Sequence, residues 1–219
     1  MRYLLLSAAI LTILSGRCAA GDITWGAKAG LAAYSISQTP ESWDDDEEFR
    51  FGPAAGAFLE YDFGNGLSIQ PSLLYVQKGV GGNLYDGFVT VDLEMTVEYI
   101  EIPVLMAWTF RRDDDFRPRI MAGPSIGYNI ASELEVSAFL LSADIDFSSV
   151  TGTTDFALIA GGGAEFLLGG RTFTFDALFQ YGLTNVLVSG DFEINGSTQT
   201  IAEDDFKNYG FQLLAGYAF

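Results

Sequence analysis

The 219-residue sequence has no histidine and only one cysteine. Without histidine it cannot form a Ser-His or Asp-His pair or a histidine-based zinc site, and this excludes most hydrolytic enzymes. The cysteine, Cys18, lies in an apolar leader. If the leader is removed, the mature chain has neither disulfides nor thiolate chemistry, so its stability must come from packing and pairing alone.

One motif of nucleophilic catalysis does occur, GPSIG at residues 123–127, with Ser125 in the nucleophile position. The motif requires a strand-to-helix turn and a histidine partner. No helix is predicted after Ser125, and the chain has no histidine. We therefore predict a non-enzymatic protein with no catalytic residue, no metal site and no cofactor.

Basic residues are also scarce, with 11 Lys and Arg against 29 Asp and Glu and a net charge of −18. Nucleic-acid binding needs clustered positive charge, so we predict no nucleic-acid partner. Much of the acid falls in predicted loops, at residues 41–49, 111–116 and 202–206. These runs are typical of solvated loops and lack the ligand spacing of a calcium loop.

A long apolar run occurs only at the N-terminus. Residues 3–14 are mostly apolar, and small residues follow at 18–20. The run is shorter than the roughly twenty residues that a helix needs to cross a bilayer. It predicts a secretory signal peptide at residues 1–20, cleaved after Ala20. Arg17 stands where a lipoprotein signal has a small residue, which disfavours lipidation of Cys18.

Beyond residue 21, apolar residues alternate in segments that turn signals separate, and this is the period of β-strands. The fold class is all-β. Eight strands are predicted, at residues 24–36, 51–63, 67–78, 91–110, 116–129, 155–168, 172–186 and 207–219.

The predicted links alternate between short and long. The short ones are residues 64–66, 111–115 and 169–171, and the long ones are 37–50, 79–90, 130–154 and 187–206. Transmembrane barrels have this asymmetry, with short periplasmic turns and longer outer loops. We therefore predict an eight-stranded antiparallel up-and-down transmembrane β-barrel over residues 21–219, with both termini on the periplasmic side.

The large aromatic residues of one strand face fall near the strand ends, as in the two aromatic girdles of an outer-membrane barrel. Near the periplasmic rim the predicted girdle residues are Trp25, Phe63, Trp108, Phe166, Phe173 and Phe219. Near the outer rim they are Phe51, Tyr75, Tyr128, Phe156, Tyr181 and Tyr209.

The opposite face, with glycine, alanine, glutamine and charges, is predicted to line the lumen. Its ionic residues are Lys28, Glu60, Lys78, Glu98, Glu101, Arg119, Glu165 and Asp176. Isolated charges there would cost several kcal/mol, so we expect them to pair. Glu98 and Glu101 differ in parity, and a bulge near Tyr99 and Ile100 would bring both inward. The pattern favours an ionic plug that fixes the register, with a proton or solute path as the alternative.

Several segments, in family order, resemble the PorT-like outer-membrane β-barrel family. They are IQPSLLYVQKG (69–79), YIEIPVLMAW (99–108), AGPSIGYNI (122–130), DFALIAGGGAEF (155–166), QYGLTNV (180–186) and KNYGFQLLAGYAF (207–219). The resemblance implies an eight-stranded barrel in a Gram-negative outer membrane, and it implies no activity. It also implies that the outer-membrane assembly machinery reads the C-terminal strand with its terminal Phe219. The acidic first loop and the link at 130–154 depart from the family pattern.

The leading hypothesis is a scaffold that displays acidic extracellular loops to an unidentified extracellular or envelope protein partner, with outer-membrane lipid around the barrel. One alternative is a narrow or gated pore for small ions or solutes. Another is a soluble, lipocalin-like ligand-binding barrel, which would require large apolar side chains facing inward.

Overall fold

The computed structural model describes residues 22–37, 48–85, 90–111, 113–138, 141–146, 152–185, 190–194, 197–201 and 207–219. These residues contain no helix with the length and hydropathy that a membrane crossing requires. They form eleven strands: β1 (Asp22–Ile36), β2 (Glu48–Asp62), β3 (Leu67–Tyr85), β4 (Thr90–Thr109), β5 (Phe116–Ala138), β6 (Leu141–Asp146), β7 (Thr154–Leu168), β8 (Arg171–Gly182), β9 (Gly190–Ile194), β10 (Ser197–Ile201) and β11 (Asn208–Ala218).

Eight of these strands close into an antiparallel barrel, in the order β1, β2, β3, β4, β5, β7, β8 and β11. The last strand, β11, pairs with β8 on one side and with β1 on the other, so the apolar C-terminus has no free edge. Lipid offers no hydrogen-bonding partners, and a closed barrel satisfies every backbone group within the wall. The predicted eight-stranded barrel is confirmed.

The barrel has one end with three short links, at residues 63–66, 110–115 and 169–170, which we call the short-turn end. Both chain ends of the barrel lie there, because the backbone nitrogen of Phe219 donates to the carbonyl oxygen of Trp25. The turn at Gly169 and Gly170 has positive φ angles of 61° and 77°. A two-residue hairpin of this kind needs such angles, which glycine adopts without strain.

The long links differ from the prediction, because strands enter them. The β3–β4 hairpin stays paired up to Tyr85 and Thr90, and β5 continues to Ala138 and pairs with β6. Within the last long link, β9 pairs with β10. Backbone pairing continues beyond the alternating segments because it needs a neighbouring strand and not an apolar face.

The strands are staggered around the barrel. A path through paired residues leaves β1 at Ile23 and returns to β1 at Ala33, ten residues farther along. The path is Ile23, Tyr61, Ile69, Met106, Ala122, Ala160, Phe179, Phe211 and Ala33. Strands with such a stagger tilt from the barrel axis. Residues at the same height are therefore seldom hydrogen-bonded pairs.

The predicted bulge lies on a different strand. Glu98 pairs with Ala131 and Tyr99 pairs with Asn129, so the extra residue is Ile130 of β5. The alternation of β4 is unbroken, since Val97, Tyr99 and Glu101 are all buried inside. The bulge therefore leaves Glu98 and Glu101 on opposite faces.

Candidate functional site inside the barrel

The two faces of the wall differ sharply in exposure at neighbouring positions. Leu213 is 61% exposed and Leu214 is 3% exposed, and Leu73 and Leu74 are 56% and 2% exposed. The exposed members lie on the outer face with most of the large apolar residues. The inner face carries the polar groups that follow, together with an apolar layer.

Arg119 is the centre of a first group, the lower cluster, near the short-turn end. Its Nη2 donates to Asp176 Oδ1 at 2.8 Å, and its Nε donates to the same oxygen at 3.2 Å. Its Nη1 reaches Glu165 Oε1 at 3.1 Å and Glu60 Oε2 at 3.3 Å. The planar guanidinium thus binds three carboxylates from three strands, as its fork of donors permits.

Lys28 extends the lower cluster towards β3. Its Nζ donates to Gln70 Oε1 at 2.6 Å and lies 3.5 Å from Asp176 Oδ2. Gln70 in turn donates to Glu60 Oε2 at 2.9 Å. The ammonium also lies 4.8 Å from the centre of the Phe58 ring, a cation–π arrangement. With Ser68, which donates to Glu60 at 2.6 Å, the lower cluster has two cations and three carboxylates.

A glycine makes room for the most buried carboxylate of this cluster. A Cβ on Gly163 would lie 2.5 Å from Asp176 Oδ1 and would overlap the carbonyl oxygen of Phe175. Any side chain there would displace the carboxylate that Arg119 binds. This gives a local reason for glycine at the end of the GGG run at residues 161–163.

Lys78 is the centre of a second group, the upper cluster, farther from the short-turn end. Its Nζ lies 2.5 Å from Glu101 Oε1 and 2.9 Å from Asp155 Oδ2. The ammonium also lies 4.8 Å from the centre of the Tyr34 ring and 4.8 Å from the centre of the Tyr99 ring. One cation is therefore shared by two carboxylates in a fully buried position.

Amide and hydroxyl groups complete the upper cluster. Tyr34 donates to Gln180 Oε1 at 2.6 Å and accepts from Gln212 Nε2 at 2.7 Å. Gln180 donates to Glu101 Oε1 at 2.9 Å, and Asn208 donates to Asp155 Oδ2 at 3.2 Å. These neutral groups supply the hydrogen bonds that Lys78 alone cannot give to two carboxylates.

An apolar layer separates the two clusters. We define it by one buried residue from each of the eight barrel strands: Ala32, Ala54, Leu74, Leu105, Met121, Ile159, Leu178 and Leu214. The buried apolar cluster to which they belong also includes Tyr34, Val76 and Ala107. Along β8, for example, Asp176 belongs to the lower cluster, Leu178 to the layer and Gln180 to the upper cluster. No hydrogen bond that the structure describes joins a side chain of one cluster to a side chain of the other.

Seven of the eight predicted ionic residues face the lumen, and they divide between the two clusters. Glu98 does not join them, because its side chain lies on the outer face and accepts a hydrogen bond from Tyr75. Sequence reasoning did not assign Asp155 or Tyr34 to the ionic network, and it placed glutamine on the lumen face without including it in the network. Asp155 has the same parity as the inward Ala157 and Ile159 on β7, and this signal could have found it.

The predicted lining of small and polar residues is also incomplete. Leucine, isoleucine and methionine fill the lumen at mid-height, as the apolar layer shows. Ser125 of the GPSIG motif lies within β5 and is 4% exposed, and its hydroxyl has no hydrogen-bond partner among the residues that the structure describes. In the described ranges, no group of three or more His, Cys, Asp or Glu residues could hold a metal ion.

The predicted girdle aromatics lie on the outside of the barrel at two ends. At the short-turn end, Trp25 stacks on Phe219 with ring centres 4.3 Å apart, and Phe166 lies 5.1 Å from Phe116. At the other end, Tyr181 and Tyr209 are paired in register. Their outer-face neighbours include four further aromatics that sequence reasoning did not assign to a girdle: Phe49, Tyr61, Phe116 and Tyr217.

A family model described as "Outer membrane protein beta-barrel domain" matches residues 15–188. The chain belongs to this family. It is an integral outer-membrane β-barrel of a Gram-negative bacterium, and a soluble lipocalin-like barrel is therefore excluded. No curated protein matches the sequence.

Among solved structures, this outer-membrane barrel is similar to the attachment invasion locus protein Ail of Yersinia pestis. The identity is 18%, over 90% of this chain and 98% of Ail, with a TM-score of 0.42. Neisserial surface protein A is 11% identical over 92% of this chain and all of that chain (100%), with a TM-score of 0.43. OprG of Pseudomonas aeruginosa is 10% identical over 90% of this chain and 95% of that chain, with a TM-score of 0.45.

Proposed function

We propose that this outer-membrane barrel is a non-enzymatic scaffold whose long connections meet a partner outside the cell. The main observation is that three neighbouring strands, β3, β4 and β5, extend far beyond the predicted outer girdle. Tyr75, Ile100 and Tyr128 lie in one paired row, and Tyr75 and Tyr128 belong to the predicted outer girdle. Beyond this row β3 and β5 run ten residues farther, to Tyr85 and Ala138, and β4 begins ten residues before it, at Thr90.

Ten residues of strand rise about 33 Å along the strand, and a tilt of about 40° leaves about 25 Å along the barrel axis. A transmembrane barrel needs an apolar band only about 25 Å tall. The interval from Tyr209 of β11 to Phe219, the residue after this strand, is also ten residues. The extra height of β3, β4 and β5 therefore serves no membrane crossing, which supports a role in display.

The acidic residues of the long links indicate what kind of partner they would bind. The first long link carries Glu41, Asp44, Asp45, Asp46 and Glu47, and the last carries Glu203, Asp204 and Asp205. Such runs attract cationic surfaces or cations and repel anionic ones. We infer a partner protein or envelope component that is basic or that binds through cations.

Crosslinking in intact cells tests this proposal. The expected mature chain has no cysteine, so Ser42→Cys and Ser149→Cys each give a single attachment point in a long link. Asn65→Cys, in a short turn at the other end, is the matched control. We expect a protein adduct from the long-link positions and a different pattern from residue 65. Capture of lipid alone at residues 42 and 149 would contradict the scaffold role.

Two finer points belong to the same proposal. The signal peptide at residues 1–20 is supported by its length and flanking residues. The intact mass of the protein purified from outer membranes should therefore match a chain that begins at Gly21.

Membership of the PorT-like family is supported by the six ordered segments. If the membership includes a role in secretion, deletion of the gene should reduce the exported proteins in the medium, and an unchanged set would end that part.

A further inference from the structure

The lumen holds three layers along its axis: the lower cluster, the apolar layer and the upper cluster. We propose that the apolar layer, and neither ionic cluster, is the barrier to ions in this barrel, and that a path opened through it prefers cations. The inference goes beyond the scaffold role, since it concerns the interior and holds whether or not the loops bind a partner.

The layer has a buried residue on every strand of the barrel. Its eight residues are at most 3% exposed and belong to one cluster of buried residues that also includes Tyr34, Val76 and Ala107. An apolar constriction offers an ion no oxygen ligand to replace its hydration shell, and such constrictions block ions by excluding water. The side chains that close the lumen on β3, β4, β7, β8 and β11 are all leucine or isoleucine.

The ionic clusters are poorer barriers, because their groups can serve as ligands. A cavity of about 40 Å³ at the short-turn end is lined by Glu60, Ser68 and Glu165 of the lower cluster and also by Arg117 and Asp62. It has room for water next to Glu60 and Glu165, two of the carboxylates that Arg119 binds. The lower cluster contains carboxylate and amide oxygens, which Arg119 and Lys28 bind, whereas Leu105 and Met121 of the apolar layer have no polar side-chain atom.

Charge sets the preferred ion. The lower cluster has three carboxylates and two cations, and the upper cluster has two carboxylates and one cation. Each cluster thus has one more acid than base, and Arg117 and Asp62, which also line the cavity, add one charge of each sign. A path through both clusters therefore attracts cations on both sides of the apolar layer.

Planar-bilayer recording of matched variants tests the inference. Leu74→Ser combined with Leu214→Ser places hydroxyls in the layer. Leu73→Ser combined with Leu213→Ser makes the same changes one residue away on the outer face, and this is the control. We expect the layer variant to show conductance steps at least tenfold above the unmodified protein and the control. In a potassium chloride gradient its reversal potential should shift towards that of potassium.

Variants of the clusters provide the opposite test. Lys78→Met and Arg119→Met disrupt the two ionic groups and leave the layer intact, so we expect both to remain closed. Conductance in either of them without conductance in the layer variant would overturn the proposal. Equal conductance in the unmodified protein would also overturn it, and a preference for anions would overturn the statement on charge.

Folding is checked first by heat-modifiable migration on gels. If the serine pair does not fold, Leu105→Ala with Leu178→Ala widens the layer without adding polar groups and makes the same prediction. A folded layer variant without conductance would overturn the proposal. The loop crosslinking described above is a separate readout, so failure of either inference is visible independently.

Discussion

The two ionic clusters have similar chemistry but different access to water. In the lower cluster, the Glu60 and Glu165 side chains are 14% and 13% exposed towards the short-turn end. In the upper cluster, the side chains of Lys78 and Glu101 are at most 1% exposed. The upper cluster lies between the apolar layer and a second group of buried residues that includes Ile36, Val80, Met95 and Val97.

This difference predicts which cluster tolerates a broken ion pair. The effective penalty of a buried charge is several kcal/mol, and water that reaches the charge reduces it. The lower cluster also has a second cation, Lys28, whereas Lys78 is the single cation among the hydrogen-bonded residues of the upper cluster. We therefore expect the upper cluster to be more sensitive than the lower one.

The largest effect is expected for Lys78→Met. It leaves Glu101 and Asp155 buried with no cation in contact, which should lower the free energy of unfolding by about 3–5 kcal/mol. Equilibrium urea unfolding in phospholipid vesicles, followed by tryptophan fluorescence, measures this. A loss below 1 kcal/mol would show that the neutral amides satisfy both carboxylates.

Arg119→Met should cost less, about 2–3 kcal/mol, although Arg119 makes more contacts. Glu60 and Glu165 can take up water, and Lys28 stays near Asp176. The same unfolding measurement compares the two variants directly. If Arg119→Met is the more harmful change, the number of contacts outweighs access to water and the comparison fails.

Glu101→Gln and Glu98→Gln form a matched pair on one strand. Glu101 accepts hydrogen bonds from Gln180 and Gln212 and binds Lys78, so an amide there loses charge-assisted bonds and should cost about 2 kcal/mol. Glu98 lies on the outer face, and its substitution should change stability by less than about 0.5 kcal/mol. Equal effects in urea unfolding would mean that Glu98 also faces the lumen.

The smallest effect is expected for Tyr34→Phe, about 1 kcal/mol. The change removes a hydroxyl that donates to Gln180 and accepts from Gln212, but it keeps the ring beside Lys78. Tyr61→Phe, on the outer face, serves as the control. Urea unfolding should separate the two, and no difference would indicate that the amides of the upper cluster pair without Tyr34.

The periodicity of the sequence was sufficient to predict which residues of the barrel wall point outward and which point inward. Alternation along β8 assigns Phe175 and Phe179 outward and Asp176 and Gln180 inward, and the structure agrees. It failed at Glu98, which alternation alone would place on the outer face. A predicted bulge in β4 was expected to turn Glu98 inward, but the bulge lies on β5 and Glu98 stays outside. It also failed in the long links, where pairing with a neighbour extends β3 and β5 without an apolar face.

The sequence by itself determined which face of a strand meets lipid and which faces the lumen, because side chains alternate along a strand and lipid favours the apolar face. Only the tertiary structure decided which inward groups meet. Lys28 of β1 finds Gln70 of β3 and Asp176 of β8, at sequence separations of 42 and 148. The stagger of ten residues brings these side chains to a similar height inside the closed barrel. The closed barrel thus contains two ionic clusters with an apolar layer between them.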